Sequence, residues 1–76
     1  MNQPQFNNYK INSVVTRHVP IHASDSEAIR ITLNQAQGGR AAFLRYSYNT
    51  RRALLKEIIK QHHSNRRQHR IMMKMF

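Results

Sequence analysis

The stretch Ser24-Asp25-Ser26-Glu27-Ala28-Ile29-Arg30-Ile31-Thr32-Leu33 decides the fold, because it supports two incompatible readings. Ser24 with Glu27 three residues on has the form of a capping box, the acids Asp25 and Glu27 suit a helix start, and Gly38 suits a helix end. Against this, Ile29-Arg30-Ile31-Thr32-Leu33 alternates strictly and is rich in β-branched residues, as a half-buried strand should be. The alternation carries more weight than the cap, so the stretch is expected to be a strand, closed by a turn at Gln37-Gly38-Gly39.

Working outward, Lys10-Ile11-Asn12-Ser13-Val14-Val15-Thr16-Arg17-His18-Val19 has the β-branched content of another strand, with Val15, Val19 and Ile21 on one face. Pro20 lacks the N–H of a ladder donor, which places this strand at an edge or ends it there. The Asn/Gln-rich residues 1–9 have no periodicity and read as a flexible polar tail. On the other side of the glycines, residues 40–48 read as a third strand. Ala42, Leu44, Tyr46 and Tyr48 then face one way, and Ala41, Phe43, Arg45 and Ser47 the other.

From Asn49 the character changes. The run N-T-R-R-A-L-L-K-E-I-I-K-Q-H-H is rich in helix formers and free of Gly and Pro, with Asn49 or Thr50 as candidate caps. The expected architecture is therefore α+β: a small antiparallel sheet of about three strands followed by a long basic amphipathic C-terminal helix, from about residue 50 to 74. Residues 10–76 would form one small domain. A helix of about 25 residues spans nearly 40 Å, more than such a sheet covers, so its far end must project.

That helix has two faces. Leu54, Leu55, Ile58, Ile59 and His62 recur at helical spacing, and eighteen residues make five turns, which returns Met72, Met73 and Phe76 to the same side. Asn65, Arg66 and His69 interrupt this stripe, so its two apolar ends are expected to serve different purposes. Opposite lie Arg52, Lys56, Lys60, His63, Arg67, Arg70 and Lys74, within an arc of about 80° at roughly 100° per residue. Like charges in such a row destabilise an isolated helix, and an external anion relieves the repulsion. Arg51 and Arg52 in the first turn would oppose the helix dipole, which a phosphate at that end would offset.

The charge balance points the same way. The 76 residues hold 13 Lys+Arg against 3 Asp+Glu, a net +10. Residues 1–38 carry three basic and two acidic side chains, whereas residues 39–76 carry ten basic ones against Glu57 alone. So uneven a distribution suits one element that meets a polyanion.

Other chemistries find little support. Without cysteine there is no disulfide scaffold, Cys-ligated zinc or thiol nucleophile. No carboxylate pair is placed for acid–base work and no glycine pattern cradles a phosphate, so no enzyme activity and no cofactor are expected. His62, His63 and His69 on the helix form no i, i+4 pair, His18 and His22 flank Pro20 and would chelate only with help from elsewhere, and no metal site is expected. Ile71-Met72-Met73 is too short to span a bilayer, the polar start lacks the charge of a secretory signal, and a cytoplasmic setting is expected.

The expectation is a small nucleic-acid-binding protein of regulatory or accessory type that contacts DNA or RNA phosphates through Arg51, Arg52, Lys56, Lys60, Arg67, Arg70 and Lys74, with Arg40 and Arg45 extending the surface. The alternative is a protein-interaction module, an inhibitor or adaptor of a larger machine, docking through Met72, Met73 and Phe76. So short a chain builds a thin core, which a partner or a second copy in a homo-oligomer would complete. Binding to a membrane surface is disfavoured by the polar gap around Asn65 and His69.

Overall fold

A computed structural model of the chain describes residues 8–75. In it the ambiguous stretch is a helix, and the cap decides the matter. Ser24 is the N-cap: its hydroxyl accepts from the Glu27 N–H at 3.2 Å and donates to the Glu27 carboxylate at 3.3 Å. Asp25 and Glu27 lie in the first turn, where negative charge favours the helix dipole. The helix runs Asp25–Gln35 and is α2 of the fold; α1 is Asn8–His18. Along α2 the buried side chains are Ala28, Thr32 and Leu33, while Ile29 and Ile31 are only partly covered and Arg30 is exposed. The alternation of isoleucines is thus not the pattern of burial.

The first expected strand is α1. Its buried residues are Ile11 and Val15, followed by Val19 just past its end, an i, i+4, i+8 series. β-branched side chains lower helix propensity by only tenths of a kcal/mol, roughly, which one buried face outweighs. Thr16 donates its hydroxyl to the Asn12 carbonyl one turn back at 2.8 Å, satisfying a group that would otherwise compete with the helix. Pro20 ends the element, as a residue that can neither donate an N–H nor tolerate a helical neighbour before it.

The expected hairpin turn is a helix–helix connection. Gly38 at φ +82° and Gly39 at φ +62° adopt left-handed backbone, and Gly38 caps the short helix α3, Gly39–Leu44. The third expected strand therefore does not exist. Tyr46 is buried and Phe43 packs on the core, whereas Leu44 and Tyr48, assigned to the same face as Tyr46, are each 64% exposed. The last helix, α4, covers Tyr48–Met75. Its cap is Ser47, whose hydroxyl accepts from the Thr50 N–H at 3.2 Å, two residues before the earliest cap the sequence suggested.

Among the described residues there are four helices and no strand, so the chain is all-helical rather than α+β. α1, α2 and α4 form the body. Ile11, Thr32, Leu33, Leu54 and Ile58 meet at one end, and at the other Thr16 and Ala23 reach Asn65 and His62. Hence α1 runs parallel to α4, α2 runs antiparallel to both and packs on both, and α3 leans on α2. Of the residues expected to form a polar tail, Asn8 and Tyr9 lie in α1; residues 1–7 and Phe76 lie outside the described part.

His62 ties α4 to the far end of the body. It is 1% exposed, and its Nε2 lies 2.7 Å from the Ala23 carbonyl oxygen. A carbonyl only accepts, so Nε2 carries the proton and donates. The bond pins α4 to the α1–α2 connection. Asn65, whose side-chain amide donates to Thr16 Oγ1 at 3.5 Å, makes the last hydrogen bond from α4 to the body among the described residues. From Arg66 to Met75 every side chain is exposed. The helix thus leaves the body as an arm of ten residues, about 15 Å long at 1.5 Å per residue. The molecule measures 49 × 19 × 17 Å as a result.

Candidate functional site

The body sets the azimuth of α4. Leu54, Ile58 and His62 point into the core, one helical turn apart. Side chains about 180° away must then face solvent, and Arg52, Lys56, Lys60, His63, Arg67, Arg70 and Lys74 do: all seven are exposed. From Arg52 to Lys74 the row runs about 33 Å along the axis. It continues from the body onto the arm without a break in period, because α4 is one helix.

The row is largely unneutralised. Among the described residues the contact between a member of the row and a carboxylate is the hydrogen bond of His63 Nε2 to Asp25 Oδ1 at 2.8 Å, both about half exposed, which is an ion pair when the imidazole is protonated. In such an exposed setting a pair contributes about 0–1 kcal/mol. It also occupies one of the chain's three carboxylates. Glu27 is held by Ser24, and Glu57 makes no ion pair with Lys60 one turn on. Arg52 lies with its guanidinium carbon 5.7 Å from the centre of the Tyr48 ring, a cation–π contact that steadies the first member of the row.

The structure does not bring every expected site residue together. Arg52, Lys56, Lys60, Arg67, Arg70 and Lys74 share the outward face. Arg51 does not: it falls three residues before Leu54, on the core side, is half-buried, and leaves its Nε without a hydrogen-bond partner. The earlier start of α4 also moves Arg51 and Arg52 out of the first turn, so the expected phosphate site at the helix start loses its basis. Arg40 is exposed on α3 and Arg45 at its C-cap, on a helix that packs against α2. They belong to a different element from the row.

One residue was passed over. Arg66, treated above as an interruption of the apolar stripe, lines a shallow open depression of about 290 Å³ together with His63, Arg67 and Arg70. The signal lies in the spacing, since Arg66 is three residues after His63 and four before Arg70. This is where the cations are densest.

Among the described residues no three His, Asp or Glu side chains converge as metal ligands, and no helix is long and apolar enough to cross a membrane. Comparison of the chain with protein-family models, with curated proteins and with solved structures finds no match.

Proposed function

We propose that this chain binds the phosphate backbone of a nucleic-acid duplex along the outward face of α4, as a small regulatory or accessory protein. One observation carries the reading: Arg52, Lys56, Lys60, Arg67, Arg70 and Lys74 form a straight, exposed row whose cations have no carboxylate partner among the described residues. Its length of about 33 Å matches one turn of a duplex, about 34–36 Å. A row of this kind meets phosphates without backbone ordering, because the helix already holds it. Arg66 adds a fourth positively charged or protonatable group where His63, Arg67 and Arg70 converge.

Phosphate contacts release counterions, so the test is salt dependence. If about half of the six Lys and Arg side chains reach phosphates, log affinity falls with log salt at a slope near −3. Fluorescence anisotropy with a labelled duplex between 50 and 300 mM salt measures it. The double variant Lys60→Glu with Arg67→Glu should weaken binding to unrelated sequences alike, since phosphates carry no base information. A slope near zero, or a loss confined to one sequence, refutes the reading.

A further inference from the structure

We propose that the arm, Arg66–Met75, is a docking helix for a hydrophobic groove with an acidic rim on a protein partner. The inference rests on the geometry of the arm and not on the nucleic-acid reading. Ile71, Met72, Met73 and Met75 are 52%, 57%, 66% and 74% exposed, four apolar side chains within five residues. At roughly 100° per residue they spread over about 200° of the helix circumference. Arg70 and Lys74 sit in the remaining arc, with Arg66 and Arg67 on its margins one turn earlier.

The width of the apolar arc selects the shape of the occupant. A flat surface or a single helix covers a stripe of about 100°, leaving half of these side chains wet. A groove encloses a helix on three sides and reaches them all. Methionine suits such a site, since its unbranched, polarizable side chain adapts to irregular walls.

The position of the arc argues against a bilayer. Met72 lies eighteen residues after Leu54 and therefore points the same way, toward the side on which α1 and α2 stand. Packed helices stand about 8–10 Å from the α4 axis, so the body rises beside the arm as a step. A planar surface meets that step before it meets Met72. A narrow protein rim fits the corner.

Charge argues against a second copy. The arm is rimmed by Arg66, Arg67, Arg70 and Lys74, and a facing copy brings the same four. It has few carboxylates to offer in return. Asp25 is engaged by His63, Glu27 by Ser24, and Glu57 is half-buried on the body. The complementary surface is one whose rim carries Asp and Glu.

Calcium-loaded calmodulin, whose lobes open Met-rich hydrophobic grooves, is a defined probe of this class. The full chain should bind it with a dissociation constant at or below about 10 µM, and chelating the calcium should abolish binding. The double variant Met72→Gln with Met73→Gln should weaken it about a hundredfold, and Arg70→Gln with Lys74→Gln about tenfold. These side chains touch nothing in the body, so the far-ultraviolet circular dichroism should not change and a folding failure cannot be mistaken for lost binding. Duplex binding by the methionine variant should be unaltered, which separates this inference from the previous reading. Binding that survives chelation or is indifferent to the methionines overturns the proposal. So does a dimer in sedimentation equilibrium, or capture by phosphatidylserine vesicles, that disappears in the methionine variant.

Discussion

His62 is the residue on which the orientation of α4 turns, and its contribution can be isolated. It is buried, and its Nε2–H is the donor that the structure provides to the Ala23 carbonyl, at 2.7 Å. His62→Met keeps a similar volume and removes the donor, leaving a buried carbonyl unsatisfied at a cost of about 1–3 kcal/mol. His62→Gln keeps an amide donor at nearly the same reach and should lose less than about 1 kcal/mol. Whole-domain stability is roughly 0.05–0.15 kcal/mol per residue, or about 4–11 kcal/mol for this chain, so the Met variant forfeits a sizeable share. A difference of about 2 kcal/mol between the variants corresponds to about 8–16 °C in melting temperature for a domain of this size. Thermal unfolding followed at 222 nm, with urea unfolding to check that the m-value is unchanged, reads it directly. If His62→Met proves as stable as His62→Gln, the hydrogen bond does not pin α4 and the account of why the helix leaves the body after Asn65 is wrong.

Two further substitutions test the fold. Gly38→Ala places a Cβ 2.6 Å from the Ala42 Cβ on backbone at φ +82°, so it should destabilise by more than the roughly 1–2 kcal/mol of left-handed strain alone. Gly39→Ala meets nothing within 4 Å and should show only the strain, and equal melting temperatures for the two would refute this packing. Thr32 is 1% exposed with an unpartnered hydroxyl, so Thr32→Val should stabilise by about 1 kcal/mol in urea unfolding; a destabilised variant would mean that the hydroxyl is in fact satisfied.

Legibility in the sequence followed the range of the interactions that decide each element. The C-terminal helix spans the segment whose apolar and cationic periods predict it, because many residues state the same period. The three expected strands failed for separate physical reasons. In α2 the buried period is carried by Ala28 and Thr32, one small and one polar, so it is faint in hydropathy beside the conspicuous isoleucines. The Ser24–Glu27 cap held the correct answer in two side chains. In α1 the Ile11, Val15, Val19 series has helical spacing, whereas the strand reading rests on β-branched content and on a face of Val15, Val19 and Ile21. At residues 40–48 the local alternation was incidental, and which of Phe43, Leu44, Tyr46 and Tyr48 is buried depends on α2 and on the turn at Gly38, which no local pattern states. The cationic row is legible because it needs one helix only; Arg51 departs from it because its spacing from Leu54, and not its nearness to the helix start, sets which way it points.

The polar break at Asn65, Arg66 and His69 acquires a meaning that the sequence alone did not give it. It marks the level at which α1 and α2 end while the two periods of α4 continue. Before it, the apolar period is consumed by the body through Leu54, Ile58 and His62; after it, the same azimuth carries Met72 into solvent. The cationic period crosses the break unchanged, so Arg67, Arg70 and Lys74 border both proposed surfaces, the phosphate face along the whole helix and the groove-binding face of the arm. An acidic rim closing over the arm would draw on half of the six Lys and Arg side chains available to a duplex. The two proposed occupants would then be antagonists, each lowering the affinity of the chain for the other by the same factor. If both proposals hold, a bundle that stops short on a helix that does not would let a protein partner control phosphate binding with no moving part.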